Sequence, residues 1–524
     1  MGVARIGNGE TGQYPAEMVG AKAANLARMA VLGLPVPPAF VLPVELCAAV
    51  VRGDHDAQAK VTAGLAEGIA FLEQATGRVF GDRRHPLLVS VRSGAARSMP
   101  GMLDTVLDVG CTTAAVHGLV RMTGNPRFAW DSRRRFLENY GEVVLGLEAA
   151  QFSPRRAALT AAEGELDSDS LERLAGEFRQ LIEDEDEKLP DDPVEQLVSA
   201  ARAVYRSWMS ERACAYRRLQ NMQDLQGTAV TVQAMVFGNH GGGSGAGVAF
   251  SRDPSTGAAR PVIEVLFEAQ GEDVVSGSRT PENESAIERY TPRAAARLRD
   301  TLVRLEREFA DVQDVEFTIE DGKLWVLQTR SAKRTPRAAL QFAIDFVNEG
   351  LISPQQALQR VDGVDLDALA QRRLAGAQQP AAHGTGAAAG VAVGRAVFDS
   401  DSAQRLAGRG DPVILMRPDT STADVAGFAA SAGIVTAVGG RTAHAALVAR
   451  QMNKPCIVGC AALAVDAANR SARLAGATIE QGDWLSIDGD SGAIYIGHCD
   501  VLVERPDREL AEVARWRTQS LAVS

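Results

Sequence analysis

Cysteine is scarce and scattered in this 524-residue sequence: Cys47, Cys111, Cys214, Cys456, Cys460 and Cys499 form no CxxC pair and no Cys/His grouping at zinc spacing. That excludes a disulfide framework and a metal knuckle, and leaves reduced, mostly buried thiols as the expectation. Excess positive charge is missing too. Lys and Arg number 55 against 66 Asp and Glu, a formal charge of −11, so the dense basic patches that nucleic acid or an anionic membrane would require are absent. Small anionic ligands held by a few local cations stay compatible with this balance. No uncharged apolar run reaches about 18 residues, and the first ten residues lack a basic stretch followed by an apolar one. Neither a membrane span nor a secretory leader is expected, and the expected location is cytoplasmic.

What is present is enough apolar sequence, 46% of residues, to bury several cores, so the chain is read as an α/β and α+β multidomain protein. Up to about Arg334, helical periodicity alternates with β-rich runs such as Pro86–Arg92, Thr228–Phe237 and Leu324–Thr329. Pro126 to Arg218 is strongly helical, and the acidic stretch Glu163–Glu187 reads as a solvated helical face. Ala339, Phe342, Ala343, Phe346 and Val347 keep helical spacing in a connector that follows Thr335. The Ala/Gly/Gln-rich segment Gly376–Gly394 then marks a boundary with mobility between its two sides. Beyond it, short strands at Pro412–Met416, Gly433–Val438, Pro455–Val458, Trp484–Asp488 and Ala493–Ile496 alternate with helix-like segments in an α/β sandwich. From Asp507 the tail reads as a charged amphipathic helix with no core of its own.

The segment Gly439–Arg450 (GGRTAHAALVAR) leaves a predicted strand and enters a helix-forming run. His444 therefore falls in a first helical turn, where free N–H groups face outward and would stabilise a phosphoryl group on its imidazole. A neutral imidazole is nucleophilic near pH 7, paired glycines let the backbone approach an anion, and Arg441 and Arg450 are candidates to offset added charge. Taken alone, a histidine at a helix start is more often a structural residue.

The longer context decides otherwise. This segment resembles the phosphohistidine domain of enzymes that use phosphoenolpyruvate, in which a GGxTxHAAxxAR run carries the transient phosphohistidine. Within that group the chain resembles the pyruvate phosphate dikinase family through Lys22–Ala27, Ser90–Gly94, Met99–Met102 and Asp311–Glu320, with ordered matches across almost all of residues 15–500. The resemblance implies an ATP-grasp nucleotide-binding domain over 1–334, with a helical subdomain at about 110–220. A helical linker over 335–383, a compact α/β phosphohistidine swivel domain over 384–505 and a helical tail over 506–524 would follow.

An ATP site needs cations for phosphates, carboxylates for Mg²⁺ and a small-residue loop over the triphosphate. The resemblance puts Lys22 and Arg92 at the nucleotide phosphates, with Arg92 also catalytic. Asp314 and Glu316, two apart on a strand-like run and so on one face, would share Mg²⁺, and Gln328 would contact the nucleotide. Arg330, with Arg135, would hold the phosphate that accepts the γ-phosphoryl. The loop Gly238–Val248 supplies Gly242, Gly243, Ser244 and Gly245 as lid donors.

Two residues depart from the family pattern: Ala246 stands where a threonine is usual, removing one hydroxyl from the expected phosphate contacts, and Ala443 replaces the usual Ser or Thr before the histidine. Thr442, which plant relatives phosphorylate for regulation, is retained as a possible regulatory site. The resemblance also implies a pyruvate-binding barrel for which these residues hold no counterpart. The expected activity is therefore the ATP half-reaction. ATP and phosphate bind, the β-phosphoryl moves to His444, the γ-phosphoryl moves to phosphate, and AMP and pyrophosphate leave. The phosphoryl would then pass to a separate acceptor molecule or a barrel-domain protein. Two alternatives stay open: a non-catalytic nucleotide-binding regulatory partner of a full-length dikinase, and a glutathione-synthetase-like ligase that would not need His444.

Overall fold

The computed structural model describes residues 2–99, 101–163, 166–185, 187–276, 279–364, 369, 371–375, 379–419, 424–441, 443–504 and 506–523. It is a mixed α/β multidomain chain that divides into two compact units, Met1–Ser244 with Ile319–Thr329, and Gly245–Thr318 with Arg330–Ser524. Residues 1–334, expected as one domain, contribute to both. The reason lies in the apolar residues after Ser244: Ala246, Val248, Phe250 and Leu266 share a core with Phe342 and Phe346 of the following connector.

In the first unit, strands β1 (Ala4–Ile6), β2 (Ala39–Leu42), β3 (Val89–Gly94), β4 (Thr105–Val109) and β5 (Ala229–Ala234) form one antiparallel sheet in the order β1-β2-β5-β3-β4. Helices α1 (Ala16–Val31) and α2 (His55–Thr76) precede β3. The predicted helical stretch resolves into several helices, including α3 (Pro126–Tyr140), α4 (Ser168–Asp184) and α5 (Pro193–Ser207). Asn125, Asp167 and Asp192 accept N–H bonds at their starts, and Pro126 and Pro193 occupy first-turn positions where no donor is lost. Phe128, Phe136, Phe178 and Tyr205 are fully buried in the core beneath them, each worth about 1.5–3 kcal/mol of apolar burial.

The second unit begins with β6 (Gly245–Phe250) and β7 (Val262–Phe267), antiparallel from Gly245 opposite Phe267 to Phe250 opposite Val262. Next comes the hairpin β8 (Gln313–Glu320) and β9 (Lys323–Ser331). Its tip, 319–329, goes with the first unit and its two ends with the second. Helices α6 (Pro336–Asn348) and α7 (Pro354–Arg360) follow, in the stretch read as a connector. Helix α8 (His444–Gln451) lies farther along the chain, and the C-terminal helix α9 (Asp507–Val523), expected to have no core of its own, has Val513 and Trp516 buried in the cluster that holds Phe342 and Phe346. Leu510 packs against the same cluster, so one apolar stripe on a largely polar helix is enough where a neighbouring helix pair offers the complementary surface.

Between the connector and that helix lies an eight-stranded sheet of β10 (Ala382–His383), β11 (Thr385–Ala388), β12 (Val391–Val397), β13 (Val413–Arg417), β14 (Gly433–Thr436), β15 (Cys456–Val458), β16 (Trp484–Asp488) and β17 (Ala493–Ile496). Its order is β10-β17-β16-β12-β13-β14-β15-β11, parallel from β12 to β15 and antiparallel at both edges. Separate apolar clusters cover the two faces. Cys456 and Cys460 are wholly buried there, as expected, and burial pushes the Cys456 thiol up to about 12. Among the described residues no helix is long and apolar enough to cross a membrane.

One backbone device in the first unit brings together the elements that carry two candidate residues. Gly20 interrupts α1 at φ 80° and ψ 152°, a conformation open to glycine alone, and a Cβ there would collide with the Gly94 backbone. The Ala21 N–H then donates to Ala95 O at 2.9 Å. The segment that carries Lys22 is thereby fixed against the end of β3, which carries Arg92. Gly20→Ala is expected to destabilise the protein by about 3 kcal/mol or more, strain and collision adding. Urea unfolding measures this, and a loss below about 1 kcal/mol would show that the two backbones part easily.

Candidate functional site

Parallel strands cannot be joined by a hairpin, so the chain must cross over between β14 and β15, and α8 is that crossover. It leaves the carboxyl end of β14, the side on which open α/β sheets form their ligand crevices. His444 is the first residue of α8. Ala443 takes the N-cap position with extended backbone and offers no side-chain cap. With Ala at the N-cap, that residue supplies no side-chain oxygen to the first-turn N–H groups, which as a class can face an anion. Thr442 lies outside the described residues.

The loop before α8 is held by charge. The Arg441 Nη1 lies 3.2 Å from Asp253 Oδ2, and the Arg441 backbone N–H donates to the Glu264 carboxylate. Gly440 makes this possible, because a Cβ there would sit 2.6 Å from Pro281 Cγ and 3.0 Å from Glu264 Oε1. Arg450 Nε donates to Ala387 O at 2.8 Å while its Nη2 donates to the Arg441 carbonyl. Arg441 and Arg450, expected to offset charge beside His444, are engaged in fixing the loop.

Asp253 is 1% exposed. Burial alone would raise its pKa, but Arg441 and the N–H groups of Ser255 and Thr256, which donate to Oδ1 at 2.9 and 3.2 Å, hold it below the usual carboxylate range. A depressed carboxylate stabilises the fold at pH above its unfolded value, and that stability is lost as pH falls through the lowered value. Asp253 and Glu264 were missed from sequence. Asp253 opens an Asx turn in Ser251–Gly257, a legible signal, but its partner is 188 residues away.

Asp314 and Glu316 stand two apart on β8, and Arg330 of β9 reaches both: Nε is 2.7 Å from Asp314 Oδ2, and Nη1 is 3.8 Å from Glu316 Oε1. Burial pushes the Asp314 carboxyl up, Arg330 opposes it, and Glu316 adds to the rise. The other Asp314 oxygen, Oδ1, is buried with no hydrogen-bond partner among the described residues. A carboxylate in this state is short of one positive or donor group. Arg450 also exerts its charge on Asp314, so the helix that begins at His444 and this carboxylate lie in one electrostatic neighbourhood.

The remaining candidates, Gly245 apart, belong to the first unit. Lys22 and Arg92 are half-buried on α1 and β3, and Gln328 is buried on β9. The glycine-rich loop is tied down: the Gly322 N–H donates to Gly243 O, the Asp321 N–H donates to the Ser244 hydroxyl at 3.0 Å, and Asn125 Nδ2 donates to His240 O at 2.9 Å. Gly242 and Gly243 form the turn; Ser244 is fully buried. Gly245 already pairs in β6, and Ala246 is buried in an apolar core. Arg135 Nε lies 2.8 Å from Asp131 Oδ2, which also accepts from Asn239 Nδ2 at 2.9 Å. Burial would raise Asp131, yet Arg135 and Arg134 hold it well below the usual range. Among the described residues, no group of three or more His, Cys, Asp or Glu side chains could hold a metal ion.

Residues 56–289 and 284–349 match the family described as pyruvate phosphate dikinase, AMP/ATP-binding domain, and residues 409–492 match the PEP-utilising enzyme, mobile domain. The chain is 42% identical over 491 residues to a pyruvate, phosphate dikinase of Clostridium symbiosum, covering 92% of this chain and 56% of that protein. It is 41% identical over 540 residues to one of Rhizobium meliloti (98% and 60%), and 41% identical over 501 residues to pyruvate, phosphate dikinase 2 of Zea mays (94% and 57%). The chain spans 56–60% of the length of these relatives.

Asp253→Asn keeps the Asx turn but removes the charge facing Arg441. Amide hydrogens of Gly440 and Arg441 are expected to exchange at least about tenfold faster, a loss of about 1.4 kcal/mol of local protection. Unchanged exchange by mass spectrometry would mean that the Glu264 contact alone fixes the loop.

Proposed function

This chain belongs to the pyruvate phosphate dikinase family, and we propose that it carries out the ATP half-reaction of such an enzyme. In this reading residues 1–334 form an ATP-grasp nucleotide-binding domain, 335–383 a helical linker, 384–505 a swivel domain and 506–524 a tail, in the cytoplasm. A nitrogen of His444 attacks the β-phosphorus of ATP and AMP departs. The γ-phosphoryl is taken by inorganic phosphate, giving pyrophosphate. The phosphoryl on His444 then passes to an acceptor supplied by groups outside these 524 residues, a small molecule or a barrel domain.

The observation that carries this reading is the attachment of the α8 loop, through Arg441, to Asp253 and Glu264 in the same unit as Asp314, Glu316 and Arg330. Arg330, held by two carboxylates, is oriented to bind phosphate, with Arg135 as a further contact. Lys22 and Arg92 take nucleotide phosphates, Gly242, Gly243, Ser244 and Gly245 line the lid, and Gln328 contacts the nucleotide. Asp314 and Glu316 fit Mg²⁺, since the unpartnered Asp314 Oδ1 is a ready ligand and Mg²⁺ typically takes one or two carboxylates plus substrate phosphates. When bound, Mg²⁺ would neutralise charge on the transferring phosphoryl groups. Thr442, two residues before His444 in the sequence, is the proposed regulatory position.

Incubation with Mg²⁺, phosphate and ATP labelled at the β or γ position tests the scheme. Wild type should acquire acid-labile, base-stable β-label that His444→Asn lacks, and γ-label should appear in pyrophosphate. Full ATP turnover by His444→Ala would favour a carboxylate-activating ligase; ATP binding with no label on either protein would favour a regulatory partner. Arg330→Ala should retain ATP binding while slowing labelling by roughly 10²–10³-fold, the usual loss when one preorganised charge is removed from a transfer site. A rate within threefold of wild type would remove Arg330 from the phosphate site.

A further inference from the structure

The first unit contains a cavity of about 520 Å³ among its helices that shares no residue with the proposed nucleotide and phosphate sites. Ser199, Arg202 and Arg206 of α5 line it; their spacing of three and then four residues puts them on one helix face. Thr62 of α2, Tyr140 at the end of α3 and Lys188 of the loop before α5 complete the polar lining. Among the described residues Glu195 is the one carboxylate on the wall, against three cations. In a chain of charge −11, such a local excess of positive charge calls for a counter-anion.

We propose that this cavity binds a small phosphorylated molecule, with its phosphate on Arg202 and Arg206. The Nε of Arg202 is buried and has no hydrogen-bond partner among the described residues, an expensive state for a guanidinium donor that a ligand oxygen would relieve. Two guanidinium forks one helical turn apart match tetrahedral phosphate oxygens, and Lys188 adds a point charge. The hydroxyls of Thr62 and Ser199 supply neutral donors. Burial pushes the Tyr140 hydroxyl up, with a hydrogen bond to Ser199 opposing, so it too is protonated at neutral pH. The volume exceeds that of a bare phosphate and lies within the range of small-molecule sites, which favours a phosphate ester over the free anion.

Calorimetric titration of the whole chain with inorganic phosphate and, separately, ribose 5-phosphate tests this. Wild type and Arg330→Ala should both bind ribose 5-phosphate at one site. Arg202→Met/Arg206→Met should bind it at least about tenfold more weakly, the loss expected for two charge-assisted contacts. Tighter binding of the ester than of phosphate identifies a phosphorylated metabolite as the ligand source; equal binding identifies free phosphate. Because Arg202 is partly buried, the exposed Lys188→Ala is a second variant that should also weaken binding while keeping the wild-type melting temperature. No binding to wild type, binding unchanged in all three cavity substitutions, or equal affinity for succinate would overturn the proposal. Binding lost in Arg330→Ala and kept in the double variant would assign the phosphate to the Arg330 site and overturn it as well. Failure of the His444 labelling experiment would leave this result untouched, since the cavity shares none of those residues.

Discussion

A buried carboxylate has to be paired, and in the second unit that requirement fixes the segment with the most chemistry. Asp253 is all but inaccessible, so its charge would be costly without Arg441. Arg441 is in turn the residue three before His444. Its side chain satisfies Asp253, its N–H satisfies Glu264, and its carbonyl receives Arg450. One arginine thereby determines where α8 begins, and glycine at 440 removes the side chain that would keep the loop away from Pro281 and Glu264.

Asp314 is treated in the opposite way. Burial raises it, Arg330 answers through one oxygen, and the second oxygen has no partner among the described residues. Folded proteins satisfy nearly all such atoms, so a deficiency beside a second carboxylate and a two-armed arginine is a local rule broken where a bound group would restore it. Arg330 has the complementary character: it is held by its acidic neighbours yet 40% exposed along its side chain, positioned without being used up.

In the first unit a backbone contact brings two candidate residues onto neighbouring elements. Gly20 brings α1 against Gly94, so Lys22 and Arg92, 70 residues apart in sequence, sit on touching elements. The glycine-rich loop, which looks like a free lid when read as composition, is fastened by Gly322, Asp321 and Asn125. Gly241 and Gly243 take positive φ and so lower the cost of the turn; the hydrogen bonds around it come from residues distant in sequence.

The sequence by itself determined the elements and their order: the strands at 86–92, 433–438 and 484–488, the helical run from Pro126, the connector after Thr335, and the strand-to-helix passage at Gly439–Arg450. These follow from apolar periodicity, caps and glycine placement, which act over a few residues. It also marked His444, Asp314, Glu316 and Arg330 as residues of chemical interest. Tertiary structure decided what each is paired with. Arg441 meets Asp253 from 188 residues away, Arg450 is turned to carbonyls, Ala246 joins an apolar core and Trp516 packs beside Phe346. Such pairings depend on which surfaces remain unburied once the elements have formed, and that balance of desolvation against partner charge exists only in three dimensions.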